Sequence, residues 1–391
     1  MVDKLTKNIK KVKPLNFDFQ STTPCLQEVI SSMSPYWEEF WGNPSSRNNR
    51  NALTASAAVK VATDKIAALL HILPEQIIFT SGATEANNLA ILGHARANSK
   101  QKGEKGHIIT LSTEHQAVLG PIRQLKLEGF NVTEIDPSSN GIIDINKCID
   151  AIQENTFLLS IMLANNEIGV LQPISDLSEI CRENEIIFHS DVVQAVENIR
   201  VFPDYSGLDL LTISSHKIYG PKGIGALIYD KSVPINPIQW GGGQQNGLRP
   251  GTIPVPLVVG FAKALELTLV NQEKRAKKIK DLRDYFLNGI IRQTSEIIVN
   301  GSMVHRLPNN LNISFPNLKG NRLHQSLRRY ISCSSGSACS NGEPSHVLKG
   351  IGRNVKEAEA SIRLSLGRST TKEEVDLAIE IIGYLVNELK C

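Results

Sequence analysis

Short apolar runs alternate with helical stretches through the first two thirds of the chain. Ile77–Thr80, His107–Leu111, Val132–Ile135, Phe157–Leu163, Ile186–His189, Leu208–Ile213 and Gly225–Ile228 are almost continuously apolar. Runs of that length, apolar at consecutive positions, predict strands buried on both faces. Between them, Glu85–Arg96, Gln116–Leu127, Ile145–Gln153 and Ile174–Glu183 carry helical periodicity and predict crossover helices. The alternation predicts a mostly parallel sheet covered on both sides. Upstream, residues 25–40 and 52–70 also read as helices, the second rich in alanine with Val59, Ile66 and Leu69 on one side.

The pattern changes after Pro250. Residues 254–294 predict one or two long helices, with the charge-rich stretch Glu273–Arg283 turned to water. Strands are expected at Leu311–Phe315, Ile331–Ser334 and Ser361–Leu366, and a last helix at Lys372–Leu389. This is the signature of a smaller α+β unit, which the N-terminal segment is expected to join. The division expected is a large domain over 18–255 and a small C-terminal domain over 256–391.

Composition narrows the class further. With 41% hydrophobic and 21% charged residues over 391 positions, the chain is long enough to bury large cores without disulfides or a structural metal. Lysine plus arginine total 42 against 39 acidic residues, a formal charge of +3, too small to argue for nucleic acid. The longest clean apolar stretch, Phe157–Ala164, is broken by Ser160 and too short to span a bilayer. The basic run Lys4–Lys13 has no apolar segment behind it and reads as a solvated tail, with an organelle address as the alternative. The six cysteines, at 25, 148, 181, 333, 339 and 391, form no CxxC pair, which fits free thiols in a reducing, cytoplasmic setting.

Four features carry chemistry. In Thr80-Ser81-Gly82-Ala83-Thr84 a strand gives way at once to a helix, so the amides of Ala83 and Thr84 are placed to hold a phosphate. The plain alternative is a turn capped by Ser81 or Thr84. Asp191 follows a buried strand, where open α/β sheets bind ligands; the alternative is a helix cap. Lys217 also follows a strand, flanked by Ser214, Ser215 and His216, and is a Schiff-base candidate. Lys222, in a Gly/Pro loop, reads as a solvated charge. Lastly, Cys339 lies among small, flexible residues, unlike a structural cysteine, whereas Cys333 reads as core. A phosphate turn, a strand-end carboxylate and a strand-end lysine together specify a pyridoxal 5'-phosphate site better than any one of them.

The motifs extend along the chain: Asp18 with Thr22-Thr-Pro24, Gly42-Asn-Pro-Ser-Ser46, Thr80-Ser-Gly-Ala-Thr-Glu85, Thr113-Glu-His115, Asn165-Asn-Glu-Ile-Gly169, Asp191-Val-Val-Gln194, Ser214-Ser-His-Lys217, Arg249-Pro-Gly-Thr252, Ser334-Ser-Gly-Ser-Ala-Cys339 and Arg363-Leu-Ser-Leu-Gly-Arg368. With these motifs the sequence resembles the cysteine desulfurases of the NifS/IscS type, class-V aminotransferase relatives with the α/β fold-type I architecture. The Ser334–Cys339 loop resembles the group I branch. The resemblance implies a seven-stranded, mostly parallel sheet in the large domain. It implies an enzyme that converts L-cysteine to L-alanine and passes the sulfur, as a persulfide on Cys339, to an acceptor protein serving iron–sulfur assembly or thio-modification. A pyridoxal-phosphate-dependent cysteine/cystine or selenocysteine lyase, or an aminotransferase, is the alternative.

Carried over by position, the resemblance makes Lys217 the cofactor lysine and proton shuttle. Asp191 would pair with the ring nitrogen and Gln194 with the ring hydroxyl. His115 would stack on the ring and assist proton transfer. Ala83, Thr84, Ser214 and His216 would hold the phosphate, with Thr252 contributed by the other subunit of a homodimer. Asn166 and Arg363 would hold the substrate carboxylate. No metal, nucleic acid or membrane is implied. The sequence departs from the family at Asn48, at Gln245 and Asn246, where the family usually has Glu and Arg, and in the short Ser340–Glu343 spacer before Pro344.

Overall fold

The structure, a computed structural model, describes residues 14–201, 207–294, 296–335 and 344–390. Lys4–Lys13 and Cys339 lie outside the described residues, and so does Cys391.

In chain order the strands are β1 (Leu15–Asn16), β2 (Ile77–Thr80), β3 (His107–Leu111), β4 (Asn131–Ile135), β5 (Thr156–Ser160), β6 (Ile187–Asp191), β7 (Leu210–Ser214), β8 (Gly225–Tyr229), β9 (Ile298–Val299), β10 (Asn310–Ser314), β11 (Ile331–Ser332), β12 (Ser334–Ser335) and β13 (Ser361–Ser365). Seven of them form one sheet in the order β2-β8-β7-β6-β5-β3-β4. Strands β7, β6, β5, β3 and β4 run parallel, and β8 is antiparallel to both β7 and β2. Two reversals bring β2 back to the common direction. The C-terminal ends of β2, β6 and β7 therefore open on one edge.

The apolar runs are continuous because both faces are covered. Ile109, Leu159, Leu211, Ile213, Ala226 and Ile228 pack into the largest core, with Val29, Ile66 and Phe261 from helices Gln27–Met33, Arg50–Leu70 and Val255–Leu269. Their neighbours Ile108 and Leu158 face the opposite way, against Val118, Ile122 and Leu125 of helix Gln116–Leu127. Leu210 and Leu227 do the same against Ala86 and Leu89. The helix expected at Glu85–Arg96 is longer than its pattern. It starts at Ala83, widens to a π turn over Leu89–Gly93 and continues as His94–Lys102.

A second, antiparallel sheet has the order β12-β13-β10-β9. Its core gathers Leu311, Ile313, Ile362 and Leu364 with Phe286 and Ile382, from helices Gln272–Gln293 and Lys372–Lys390. Phe17 joins this core, and β1 pairs in parallel with β11. The expected exposure of Glu273–Arg283 fails at its end: Arg283 is 1% exposed. Its Nη1 donates to the Leu307 carbonyl at 3.1 Å and its Nε to Asp284 at 2.7 Å. A buried guanidinium is tolerated there because those donors are satisfied.

Candidate active site

The phosphate turn is built by the way β2 stops. Gly82 has φ +154°, a conformation side chains resist, and a Cβ there would meet nothing within 4 Å, so the space above the turn is open. A Cβ at Gly225 would stand 2.6 Å from the Ile213 carbonyl oxygen and 2.9 Å from the Gly82 carbonyl carbon. Only glycine lets β8 pass this close beneath the turn. The alternative of a cap by Ser81 or Thr84 is not met: helix Ala83–Asn88 has no side-chain cap bond at its start. Glu85 instead accepts the Ser81 amide at 2.6 Å and is held by Arg249 Nε at 2.8 Å.

Asp191, 8% exposed, ends β6. Its Oδ1 accepts the Val193 amide at 3.0 Å, within a run of turns rather than a helix, so it is not the helix cap considered for it, and its Oδ2 accepts Asn87 Nδ2 at 2.7 Å. Lys217 leaves β7 through a short 3-10 turn and donates from Nζ to the carbonyls of Gln20, at 2.5 Å, and Ser21, at 2.9 Å. Beside it, burial pushes the His216 imidazole down to about 4, aided by the charges of Lys217 and Lys222. His216 Nδ1 lies 3.1 Å from Thr22 Oγ1.

His115 caps helix Gln116–Leu127, its Nδ1 accepting the Ala117 amide at 3.1 Å. That bond assigns the proton of the neutral ring to Nε2. Burial lowers its basicity, against the opposing pull of Asp191. Glu114, one residue earlier, is fully buried. Burial holds its carboxyl well above the usual range, and the nearby Asp191 charge adds to this.

Alternation on β13 sends Ile362 and Leu364 into the second core and Arg363 the other way. Its Nη1 donates to the Asn166 carbonyl at 2.7 Å, and its Nη2 to Asp18, Ser21 and Ser334. Gln194 exchanges two hydrogen bonds with Gln20.

These groups surround one cavity of about 710 Å³. Ala83, Thr84, His115, Asn166, Asp191, Gln194, Ser214, His216, Lys217 and Arg363 all line it. Lys222 lines it too, although the loop reading made it a solvated charge; it does both, being exposed at the rim. Thr252 is exposed and does not line it. Cys333 is half-buried, and burial raises its thiol to about 12, so it stays a protonated, unreactive thiol. Among the described residues no cluster suits a metal ion, and no helix is long and apolar enough to cross a membrane.

The donor set fits pyridoxal phosphate. Among the described residues, Ser214 Oγ, Asn166 Oδ1 and Arg363 Nε are buried without a partner, and their residues line the same cavity. Such atoms are costly unless a ligand pairs with them. Sequence reasoning missed Gln20, Asn87, Glu114 and Glu167 as parts of this site. Asn87 had left a signal: it is polar amid the apolar helix positions Ala86, Leu89 and Ala90.

The sequence model of the aminotransferase class-V family matches residues 15–377. The chain is 43% identical over 381 residues to a protein named cysteine desulfurase IscS of Neisseria meningitidis, covering 96% of this chain and 93% of that one. It is 42% identical to the IscS of Rickettsia rickettsii, covering 96% and 92%. Among solved structures, a NifS-like protein superposes with a TM-score of 0.90 at 34% identity, covering 96% of this chain and all of that one. A structure described as SspA in complex with cysteine superposes at 0.80 with 36% identity, covering 91% and 99%.

Proposed function

The chain belongs to the aminotransferase class-V family and is a pyridoxal-phosphate-dependent cysteine desulfurase, and we propose that the cavity around Lys217 is where it takes sulfur from L-cysteine. The observation that carries this reading is convergence. Lys217, Asp191, the Ala83–Thr84 turn and Arg363 are far apart in sequence yet line one cavity.

Lys217 Nζ would hold the cofactor aldehyde, Asp191 the ring nitrogen, and Gln194 the ring hydroxyl. The Ala83 and Thr84 amides, Ser214 and His216 would hold the phosphate. When bound, the cofactor supplies an electron-poor ring that acidifies the substrate Cα–H. Asp191 stays placed for its role because Asn87 and the Val193 amide hold both its oxygens. Arg363 and Asn166 would orient the substrate carboxylate, and Lys217 Nζ, freed when the substrate amine takes its place on the aldehyde, would accept the Cα proton. His115 faces the cavity as a neutral ring, protonated on Nε2. It serves as a stacking surface and hydrogen-bond donor.

The Cys339 thiolate attacks the substrate sulfur. An S–S bond forms as the substrate C–S bond breaks, and protons taken up at carbon leave L-alanine and a Cys339 persulfide. An acceptor protein, a scaffold or a thiolation protein, then takes the outer sulfur.

Three further readings go with this one. The chain divides into a large and a small unit, in keeping with its two larger sheets, each having its own core; helix Val255–Leu269 packs into the first core, so the boundary expected between 255 and 256 moves beyond Leu269. It forms a homodimer: Thr252 is exposed and away from its own cavity, and Trp37, Trp41 and Trp240 are exposed as well. It works in the cytoplasm, in keeping with the free thiols of Cys25, Cys148, Cys181 and Cys333.

The test is alanine formation from L-cysteine, with mass detection of the added sulfur. Wild type should form alanine and carry the sulfur on Cys339. Lys217→Ala should form none, and Cys339→Ser should form no persulfide and lose alanine formation. Full alanine formation by Cys339→Ser removes the acceptor role of that thiol.

A further inference from the structure

The cavity depends on where β2 ends, and β2 is an edge strand paired only with β8. An edge strand leaves every second residue with its amide and carbonyl facing outward. At Phe79 those two groups are satisfied by one side chain. The Phe79 amide donates to Gln245 Oε1 at 2.7 Å, and Gln245 Nε2 donates to the Phe79 carbonyl at 2.8 Å. The carboxamide thus stands in for a residue of a missing neighbouring strand. Gln245 Nε2 also reaches the Arg249 carbonyl at 3.3 Å, which ties the clamp into its own loop.

The same loop grips the turn a second time. Arg249 holds both carboxylate oxygens of Glu85, and Glu85 accepts the Ser81 amide. Gln245 and Arg249 therefore fix the chain on either side of Thr80 and Gly82. Gln245 itself has φ 50° and Asn246 φ 58°, a backbone that non-glycine side chains adopt at a cost. The paired bonds offset it.

We propose that Gln245 is a positioning residue for the phosphate turn, holding Ser81–Thr84 at the register in which their amides meet the cofactor phosphate. A carboxamide accepts from an amide and donates to a carbonyl at once; a glutamate at neutral pH lacks the donor.

The inference rests on the reading of the cavity as a pyridoxal phosphate site, and the test separates the two. Apoprotein is titrated with pyridoxal phosphate and with pyridoxal, which lacks the phosphate, for wild type, Gln245→Met and Gln245→Glu. Methionine keeps the length and loses both bonds; glutamate keeps the acceptor only. Gln245→Met should weaken pyridoxal phosphate by about tenfold, the loss expected of hydrogen bonds at this scale, and leave pyridoxal unchanged. Gln245→Glu should fall between, and it carries the test alone if the methionine variant does not fold. A general loss of structure would weaken both aldehydes together. An unchanged ratio of the two affinities overturns the clamp, whereas wild type that binds neither aldehyde overturns the reading of the cavity.

Discussion

Arg363 Nη2 donates to Asp18 Oδ1 at 2.9 Å, so the guanidinium assigned to the substrate carboxylate already has a carboxylate partner. Arg363 is 9% exposed on its side chain, and its Nε–H is buried with no partner among the described residues. In the role proposed for Arg363, substrate would meet a cation oriented by Asp18 and only partly neutralised by it. Removing the Asp18 charge should strengthen the attraction for substrate and loosen the orientation.

The first prediction is a split in steady-state constants. Asp18→Asn should lower both KM for L-cysteine and kcat. Arg363→Ala should raise KM by at least about tenfold, the scale of a lost charge-assisted hydrogen bond. Equal effects of the two variants on KM would show that the pair acts only as a structural bridge.

A second prediction concerns the stem that follows residues 336–343. Ser345 donates to Glu167 Oε2 at 2.5 Å and accepts the Leu348 amide at 3.1 Å. Burial raises the Glu167 carboxyl, against the Ser345 bond and the charges of His346 and Arg363. Ser345→Ala removes both bonds and should cost about 1 kcal/mol of stability, a typical cap loss. It should also slow sulfur transfer to Cys339 while leaving pyridoxal phosphate affinity unchanged. Denaturant titration, single-turnover persulfide formation and cofactor titration check the three parts. A coequal loss of cofactor affinity would place Ser345 in the general support of the cavity instead.

Much of this was readable beforehand, for a physical reason. Strands buried on two faces must be apolar at consecutive positions, and Ile108–Ile109, Leu158–Leu159 and Leu210–Leu211 are. Lys217, Asp191 and Ser214 stood out because they interrupt such runs at strand ends. Arg283 did not stand out, because its burial depends on a carbonyl at Leu307, far along the chain. Gln20 was silent for the same reason, and Gln245 stood out only as a departure from the family pattern: their contacts, to Gln194 and Phe79, are long-range and no local pattern encodes them.

Glu114 gives the third prediction. It is fully buried, its Oε1 accepts the Met162 amide at 2.7 Å, and burial raises its carboxyl well above the usual range, with the nearby Asp191 charge adding to this. Two adjacent buried carboxylates cannot both ionise without large cost. Glu114→Gln keeps the size and the oxygen that accepts the Met162 amide without an ionisable group, and should keep near wild-type turnover at pH 7.5. Glu114→Ala leaves the Met162 amide unpaired and should cost on the order of 1–3 kcal/mol of stability. A steep loss of turnover in Glu114→Gln, with stability intact, would mean that the ionised form works in the reaction.

The last prediction follows from His189, two residues before Asp191 on β6 and 0% exposed. Its Nδ1 lies 2.8 Å from Ser160 Oγ and its Nε2 3.3 Å from Thr212 Oγ1. Burial drives its pKa down to about 3. An unfolded histidine titrates near 6.5. Between these values the unfolded chain takes up a proton that the native ring refuses, so acid favours unfolding. The contribution of this residue is complete above pH ~6.5 and is lost as pH falls toward 3. At pH 5 the loss is about 2 kcal/mol, from 1.36 kcal/mol per pH unit. His189→Asn should lower stability at pH 7.5 through its altered packing. The informative quantity is therefore the drop between pH 7.5 and pH 5.0 in urea titrations. That drop should be smaller in His189→Asn than in wild type by about 2 kcal/mol. Equal drops would mean that the native ring protonates without penalty, and that the wall of the cavity beneath Asp191 admits a charge.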